Sequence, residues 1–407
     1  MGRGQHRGRG RPAARELVTG GLAGLGLLAL AACGGFDTAR RAPPAVVAEA
    51  PQATPAGGGT IGTGATKIAL ILPLTGQGAS VGAALRNAAE LAVADFQQPD
   101  LTILVKDDGG TPDGARAAAA AALEEGAELV VGPLFAATVQ AAAQTARSAS
   151  KPMIAFSTDA GVASRGVYLL SFLPQAEVDR VVDEATAQGR RSFAALIPES
   201  TYGNVVEAQF REAAARRGGR VVAVERYAAS ASAAAVARIA PLVTGPGATA
   251  DALFIPDTPD GLAAVAGALT RAGFSPGRVR PIGTSVWNDP RSLALPALQG
   301  GWFAGVDNAG FAGFAGRYRA RFRSEPARIA SLSYDAVSLA AALTRQYGSQ
   351  RFAETTLTNP SGFAGTDGTF RFRPEGTSDR ALAVYEIRNG AAAVVSPAPR
   401  TLGNSGT

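Results

Sequence analysis

The sequence predicts an α/β fold with two Rossmann-like lobes, each built on a parallel sheet. Continuous apolar runs of strand length, such as 67–74, alternate with stretches that repeat apolar residues at helical spacing. The alternation occurs in two successive arrays, and strand–helix–strand units of this length form right-handed crossovers. Apolar residues make up 46% and charged residues 18% of the 407 residues, so each lobe can bury its own core.

The first array begins abruptly at Lys67. It predicts strands over 67–74, 101–108, 127–134 and 151–157, with helices over 83–96, 113–126 and 136–150. The second array predicts strands over 191–200, 220–227, 250–257 and 280–285, with helices over 175–189, 202–219, 231–243 and 261–273. A helix pair within 314–348 and a hairpin of period 2 over 368–390 complete the folded body.

Two scarce residue types exclude several kinds of chemistry. The only histidine is His6 and the only cysteine is Cys33. A Ser-His-Asp triad, a Cys-His pair, a zinc site built on His or Cys, an iron–sulfur cluster and internal disulfides are therefore excluded from the folded body. Two carboxylates could still act as general acid and base, but no such pair is evident. We therefore expect a non-enzymatic protein without a metal or cofactor.

Residues 1–32 are predicted to be a signal peptide. An arginine-rich start is followed by the apolar stretch 17–32, which is too short and glycine-rich to span a membrane comfortably. The stretch ends in Leu-Ala-Ala-Cys, which is similar to the bacterial lipobox, so Cys33 is the predicted lipidation site. A lipid anchor would then be the only membrane contact of a periplasmic protein. Gly34, in place of an aspartate, favours the outer membrane.

Residues 33–66 are predicted to form a disordered tether after the lipidated cysteine. They are rich in Pro, Gly, Ala and Thr and lack amphipathic periodicity. A flexible chain of this length reaches roughly 30 Å, so the folded body could search the space near a membrane. Residues 396–407 are predicted to be a disordered tail.

The net charge of +6 gives no support for a nucleic-acid partner. Residues 1–32 hold five arginines and one acidic residue, and without them 34 basic and 32 acidic residues remain, a net charge of +2. No patch of Lys and Arg interleaved with aromatic residues remains either, so we expect no binding of nucleic acid.

Seven stretches, in their order along 67–395, resemble one family. They are ALILPLTGQGASVGAALRNAAELAV, DDGGTPDGARAAAAAAL, VVGPLFAATVQA, KPMIAFSTDA, IPESTYGNVV, EPARIASLSYDAVSLAAAL and GTDGTFRFRPEGTSDRALAVYEI. The family is the type I periplasmic binding proteins of the leucine/isoleucine/valine-binding class. The resemblance implies two α/β lobes joined by three crossovers, with a ligand between the lobes. Lobe 1 would comprise 67–174 plus 307–362, and lobe 2 would comprise 175–306 plus 363–395.

The resemblance also implies that the ligand lies at the carboxyl ends of the strands, where open parallel sheets generally bind ligands. The candidate ligand-binding residues of lobe 1 are Thr75, Gln77, Phe135, Ala137, Thr138, Ser157, Thr158 and Asp159, and those of lobe 2 are Tyr202, Ser285 and Trp287. Phe135 and Trp287 are either ligand platforms or packing residues.

The sequence departs from the pattern of the amino-acid-binding members. In those members, hydroxyl residues at two strand ends hold the carboxylate and amine of the ligand, and an acid in lobe 2 completes the ammonium contact. Here only Thr138 remains of the hydroxyl-rich stretch, and the lobe 2 acid is missing near Ser285. Asp159 and Asp289 are nearby acids that could replace it.

Two functions on this fold fit the sequence. The first is a receptor for a small amino-acid-like ligand that delivers it to an ABC permease. The second is a penicillin-binding protein activator lipoprotein, which would regulate peptidoglycan synthesis by contact with a penicillin-binding protein. The lipobox with Gly34, the tether and the weakened amino-acid motif resemble this second group. Fold alone does not decide between them.

Overall fold

The structure, a computed structural model, describes residues 58–97 and 99–402. The predicted signal peptide 1–32, the lipidation site Cys33 with Gly34, and most of the predicted tether lie outside the described residues. In the described ranges no helix combines the length and the apolar composition that crossing a membrane requires.

The first sheet has six strands in the spatial order β1-β3-β2-β4-β5-β6. They are β1 (Gly59–Ile61), β2 (Thr66–Leu72), β3 (Leu101–Asp107), β4 (Leu129–Val131), β5 (Met153–Ala155) and β6 (Val167–Leu169). Neighbouring strands are parallel except β1, which runs antiparallel to β3. The helices of this array are α1 (Ala79–Asp95), α2 (Pro112–Glu124) and α3 (Ala136–Ser148).

Strand β2 shows why the predicted strands are apolar throughout. Ile68, Leu70 and Leu72 belong to one hydrophobic cluster, whereas Ala69 and Ile71 belong to another. All five side chains are fully buried. Because successive side chains of a strand point to opposite faces, both faces of this sheet are covered.

The folded body begins before Lys67, so the predicted tether 33–66 is too long at its carboxyl end. Strand β1 lies within it, and Ile61 is buried in the core of the first sheet. Gly64 lets the chain pass close to β3, since an added Cβ would lie 1.9 Å from the backbone nitrogen of Leu101. A three-residue strand gives no detectable period in a glycine-rich segment.

The second sheet has seven strands in the order β16-β15-β11-β10-β9-β7-β8. They are β7 (Ser192–Pro198), β8 (Arg220–Tyr227), β9 (Ala252–Phe254), β10 (Arg280–Gly283), β11 (Trp302–Gly305), β15 (Ala383–Arg388) and β16 (Ala391–Ser396). The first five are parallel, and β15 and β16 add an antiparallel edge. The helices are α4 (Pro174–Ala187), α5 (Thr201–Arg216), α6 (Ser232–Val243), α7 (Pro259–Arg271) and α8 (Pro290–Leu293).

Between β11 and β15 the chain returns to the first lobe. This segment holds α9 (Asn308–Phe322), α10 (Ala330–Tyr347), α11 (Glu354–Leu357) and a small antiparallel sheet of β12 (Phe363–Gly365), β13 (Gly368–Phe372) and β14 (Ser378–Arg380). Helices α9 and α10 pack against α1. The two lobes confirm the predicted α/β fold class.

The small sheet packs with the first lobe, which corrects the assignment of all of 363–395 to lobe 2. Phe370 and Phe372 share a hydrophobic cluster with Ile68, and the ring of Tyr168 lies 5.3 Å from that of Phe372. The period-2 pattern of this segment predicts one buried face but does not indicate which lobe covers it.

The predicted tail 396–407 also begins too early. Ser396 is the last residue of β16, and its Oγ accepts a hydrogen bond of 2.5 Å from Arg180 Nη2. Further on, the carbonyl of Arg400 accepts a hydrogen bond of 3.0 Å from Thr369 Oγ1. These contacts hold 396–400 on the folded body.

The chain passes between the lobes three times, at 170–173, at 306–307 and at 381–382. The number of crossovers agrees with the predicted fold. Because all motion of one lobe relative to the other must bend these segments, groups beside them are well placed to sense lobe closure.

Candidate functional site

The exposed loop after β2 is held by a charged residue. Thr75 and Gln77 are exposed in this loop, and Thr75 Oγ1 donates to Asp107 Oδ2 at 2.6 Å. Burial alone would raise the pKa of Asp107, but hydrogen bonds from Thr75 and from the backbone of Gly109 outweigh burial and lower it. Asp107 is therefore a charged anchor for the loop.

Phe135, just before α3, packs onto two neighbouring loops. A Cβ added to Gly78 would lie 2.9 Å from Phe135 Cζ, and one added to Gly110 would lie 3.5 Å from its Cε2. The half-buried ring thus closes the gap between three strand ends. Ala137, in the first turn of α3, is exposed beside it.

Two of the predicted hydroxyl ligands are buried, which is a correction for Thr138 and Ser157. Thr138 is fully buried, and its Oγ1 donates to the carbonyl that begins its own helix at 2.8 Å. Ser157 is 2% exposed, and its Oγ accepts the backbone N–H of Asp159 at 3.1 Å. The Asp159 carboxylate accepts a backbone N–H two residues further on at 2.9 Å, while Thr158 is exposed.

Trp287 is a core residue, so its interpretation as a ligand platform is wrong. Its ring is fully buried, and Nε1 donates to the carbonyl of Ile255 at 2.8 Å. The 3₁₀ turn Ser285–Trp287 folds the indole back under β10. Gly283 makes room for the ring, because an added Cβ would lie 2.2 Å from Trp287 Cε2.

The remaining predicted residues of the second lobe are Tyr202 and Ser285, and Tyr202 contacts Thr284, the residue before Ser285. Tyr202 Oη and Thr284 Oγ1 share a hydrogen bond of 2.6 Å, and burial raises the pKa of Tyr202. Ser285 donates twice to Glu177, from its backbone N–H to Oε2 at 2.9 Å and from its Oγ–H to Oε1 at 2.6 Å. A buried carboxyl group therefore lies beside the end of β10.

Glu177 is the second-lobe acid that sequence reasoning missed. It lies in the first turn of α4 and is only 8% exposed. Acids are common in the first turn because they favour the helix dipole, so nothing in the sequence distinguished this one. Asp289, considered earlier as a substitute, begins α8 and pairs with Arg291 at 3.1 Å.

A cavity of about 230 Å³ lies beside Glu177 at the crossovers, and we name it the hinge cavity. It is lined by Phe172, Glu177, Ser285, Asn288, Phe303, Gly305, Val306, Asn308, Arg328 and Tyr385. Phe172 comes from the first crossover and Val306 from the second. Of the predicted site residues, Ser285 alone lines this cavity.

Arg328 places a guanidinium at the wall of the hinge cavity. Its Nη1 donates to Asn308 Oδ1 at 2.6 Å, and its Nη2 donates to Asp367 Oδ1 at 2.5 Å. The guanidinium lies 4.4 Å from the ring of Phe311. Its Nε is buried and has no partner among the described residues. Arg328 lies in the loop before α10, and the sequence prediction considered only residues that follow strand ends.

Arg328 belongs to a group of four buried or half-buried charges, which we name the crossover cluster: Arg328, Asp335, Asp367 and Arg380. Arg380 lies between the rings of Phe172 and Phe370, at 5.1 and 5.6 Å. Burial raises the pKa of Asp335 to about 6. Two guanidiniums thus lie near two carboxyl groups beside the crossovers, and Phe172, whose ring contacts Arg380, also lines the hinge cavity.

These groups suit binding rather than group transfer. The hinge cavity offers one guanidinium, one buried carboxyl group and the aromatic rings of Phe172, Phe303 and Tyr385. Within residues 58–97 and 99–402, no group of three or more His, Cys, Asp or Glu side chains could hold a metal ion.

The titration of Glu177 gives a testable pH dependence. Burial raises its pKa from 4.5 to about 7, and the hydrogen bonds from Ser285 offset burial only in part. The neutral carboxyl group therefore stabilises the fold fully below about pH 4.5, and this contribution is lost as the pH rises to about 7. At 1.36 kcal/mol per pKa unit, the loss is on the order of 3 kcal/mol.

We expect Glu177→Gln, which cannot ionise, to gain on the order of 3 kcal/mol of unfolding free energy relative to wild type between pH 4.5 and 8. Urea unfolding at both pH values measures this difference. Glu325→Gln, at a residue 72% exposed, is the control and should show no such gain. If the unfolding free energies of Glu177→Gln and wild type differed by the same amount at both pH values, the raised pKa of Glu177 would be contradicted.

Two lobes joined by three crossovers, with a polar cavity beside the crossovers, are typical of a two-lobed binding protein. A sequence profile of the periplasmic binding protein family matches residues 65–392. The chain belongs to this family, as a type I member of the leucine/isoleucine/valine-binding type, and the earlier resemblance is confirmed. The family implies a periplasmic location. No curated relative matches the sequence.

Three solved structures illustrate the similarity. A protein from Rhodospirillum rubrum described as a branched-chain amino acid ABC transporter has a TM-score of 0.70 and 21% identity, over 81% of this chain and 99% of that one. A solute-binding protein of an ABC transporter from R. palustris, in complex with benzoate, has a TM-score of 0.55 and 19% identity, over 84% and 98%. A leucine-binding protein from Thermotoga maritima has a TM-score of 0.55 and 20% identity, over 82% and 98%.

Proposed function

We propose that this chain is the solute receptor of an ABC-type importer and that its ligand binds in the hinge cavity. The observation that carries the proposal is the composition of this cavity, which joins two crossovers to the end of the second sheet. A ligand there would contact the segments that bend when the lobes close, so occupancy would favour one lobe arrangement. Solved neighbours described as ABC transporter proteins support the same role.

The ligand that we propose is a small, amino-acid-like carboxylate. Arg328 would hold the carboxylate, because a guanidinium binds this group with charge-assisted hydrogen bonds. Glu177 would accept a hydrogen bond from an amino or hydroxyl group, and Phe172 and Phe303 would cover an apolar body. The volume of about 230 Å³ lies below the range of about 300–1,000 Å³ for drug-sized ligands. A carboxylate is shared by leucine and benzoate, which the names of two neighbours contain.

The exposed strand-end residues of the first lobe have a secondary part in this proposal. Thr75, Gln77, Ala137, Thr158 and Asp159 would complete the site when the lobes close. Thr138, Ser157 and Trp287 have no direct part, because their polar atoms are buried and bound within the protein.

A thermal-shift screen of the purified chain tests the proposal. The ligands are amino acids, aromatic and aliphatic carboxylates, and the primary amide of each. We expect a carboxylate at 100 times its dissociation constant to stabilise the fold by about 2.7 kcal/mol, and the matching amide to bind at least about tenfold more weakly. A folded protein that responds to no carboxylate would contradict the receptor function and leave the activator function to be tested with penicillin-binding proteins.

Gly305 lines the hinge cavity and provides a substitution that fills part of it. An added Cβ would lie 3.5 Å from Ser285 Cβ and 3.8 Å from Tyr385 Cε2, at ordinary contact distances and beside two cavity-lining residues. We expect Gly305→Val to weaken ligand binding about tenfold or more, about 1.4 kcal/mol, because its methyl groups take volume that the ligand would fill, and urea unfolding checks that the variant is folded. Gly316→Ala, whose Cβ would meet nothing within 4 Å, is the control. Unchanged affinity in Gly305→Val would place the ligand elsewhere.

The membrane anchor is a further part of the proposal. A lipid on Cys33, outside the described residues, would hold the receptor at a membrane surface within the periplasm. Mass spectrometry of the N-terminal peptide from the native host tests this, since an unmodified Cys33 would contradict it.

A further inference from the structure

A second cavity lies at the amino edge of the first sheet, away from the crossovers. Its volume is about 300 Å³, and we name it the edge cavity. The residues just before β5 and β6 line one side, and Phe352 and Glu354, after α10, line the other. Parallel strands of the sheet place the predicted strand-end residues at the opposite edge, so this cavity is separate from the proposed solute site.

The edge cavity carries an excess of positive charge. Arg147, Lys151 and Arg165 line it together with a single carboxylate, Glu354, which gives a net charge of +2. Glu354 Oε2 binds Arg165, at 2.8 Å from Nε and 2.7 Å from Nη2. Glu354 is thereby committed to Arg165, and the charges of Arg147 and Lys151 have no acidic counterpart in the lining.

Arg147 and Lys151 carry hydrogen-bond donors that have no partner in the described chain. Arg147 Nε donates to the carbonyl of Ala143 at 3.2 Å, which leaves its terminal nitrogens without a partner in the described chain. Lys151 Nζ also has no hydrogen bond or ion pair with any described residue. Uncompensated cations beside a cavity attract anions and concentrate them there.

A buried hydroxyl gives a second and independent indication of a ligand. Tyr168 lines the same cavity and is 1% exposed, and its Oη has no hydrogen-bond partner among the described residues. Its ring is fixed by Phe372 at 5.3 Å, so the hydroxyl has little freedom to find a partner elsewhere. A buried polar atom without a partner is rare in folded proteins and indicates a group that is not part of the chain.

We propose that the edge cavity binds a doubly charged oxyanion of the phosphate type. The ammonium of Lys151 and the terminal nitrogens of Arg147 bind its charged oxygens, and the Tyr168 hydroxyl donates to another. A dianion matches the net charge of +2, and its several acceptor oxygens match several separate donors. This site goes beyond solute transport, because its occupant does not contact the crossovers or the hinge cavity.

Isothermal titration of the full chain with inorganic phosphate at pH 7.5 tests the proposal. We expect saturable binding that Lys151→Gln and Tyr168→Phe each weaken by at least about tenfold, as is typical for hydrogen bonds to a charged group. Tyr168→Phe keeps the ring on Phe372, and its thermal midpoint without phosphate should not fall below the wild-type value, because the variant removes a buried hydroxyl that has no partner among the described residues. Arg271→Gln, at an exposed residue of α7 in the other lobe, removes the same charge and should bind within twofold of wild type.

A flotation assay of the full chain with vesicles distinguishes a lipid headgroup from soluble phosphate as the source of the bound group. Co-flotation with vesicles that contain phosphatidic acid, lost in Lys151→Gln, supports a lipid headgroup as the occupant. Binding of inorganic phosphate without flotation supports a soluble phosphate. Absence of saturable binding in both assays overturns the proposal, as does equal binding by wild type, Lys151→Gln and Tyr168→Phe.

Discussion

Replacing Asp367 by asparagine is expected to lower the unfolding free energy by about 3–5 kcal/mol. Asp367 is fully buried, and its carboxylate accepts hydrogen bonds of 2.5 Å from Arg328 Nη2 and from Ser331 Oγ. Asparagine has nearly the same shape but no charge. The crossover cluster would keep two guanidiniums against the single carboxyl group of Asp335, and an uncompensated buried charge is strongly destabilising.

Urea unfolding followed by circular dichroism measures this change. Glu325→Gln is the matched control, because it also removes one carboxylate that pairs with an arginine, Arg319. Glu325 is 72% exposed and Arg319 is 51% exposed, so we expect a change below about 1 kcal/mol. If the unfolding free energy of Asp367→Asn lay within about 1 kcal/mol of the wild-type value, Asp367 would not be needed to compensate the guanidiniums of the crossover cluster.

Trp287→Ala is expected to destabilise the protein by about 3–5 kcal/mol, because it leaves a cavity in the core of the second lobe. The ring is fully buried and contacts Phe303 with a centroid separation of 6.4 Å. Trp287→Phe should cost about 1–3 kcal/mol, since the smaller ring leaves space in the core and the carbonyl of Ile255 keeps only the backbone N–H of Asp257 as a donor. Tyr347→Ala, at a residue 41% exposed, is the control and should change stability by less than about 1 kcal/mol.

The same variants distinguish packing from ligand contact. Trp287→Phe should bind the best ligand of the thermal-shift screen with wild-type affinity, measured by isothermal titration. A tenfold loss of affinity in a protein of nearly wild-type stability would restore Trp287 as a ligand platform and contradict its placement in the core.

The fold was predictable because buried parallel strands leave a strong pattern. Ile68 to Leu72 are apolar without interruption, since each face of β2 meets a hydrophobic cluster. The assignment of β13 failed for a physical reason. Phe370 and Phe372 alternate with polar residues, which shows a buried face, but only tertiary packing determines that the first lobe covers it.

Residues of the proposed site were predictable only where the site coincides with a strand end. Ser285 follows β10 and lines the hinge cavity. Glu177 and Arg328 reach the same cavity from a helix start and a loop, where an acid and a base are ordinary residues with no periodic signal. Trp287 shows that a position after a strand end does not ensure a place in the site. The 3₁₀ turn that contains it directs the ring into the core, and the sequence does not reveal this direction.

The central claim is that a small carboxylate binds in the hinge cavity. A crystal structure of the chain with the strongest ligand of the screen tests it most directly. We predict that a ligand carboxylate oxygen lies about 2.7–2.9 Å from a nitrogen of Arg328. We also predict that the ligand body lies against Phe172 and Phe303. A ligand bound only to strand-end residues of the first lobe, with the hinge cavity empty, would contradict the claim.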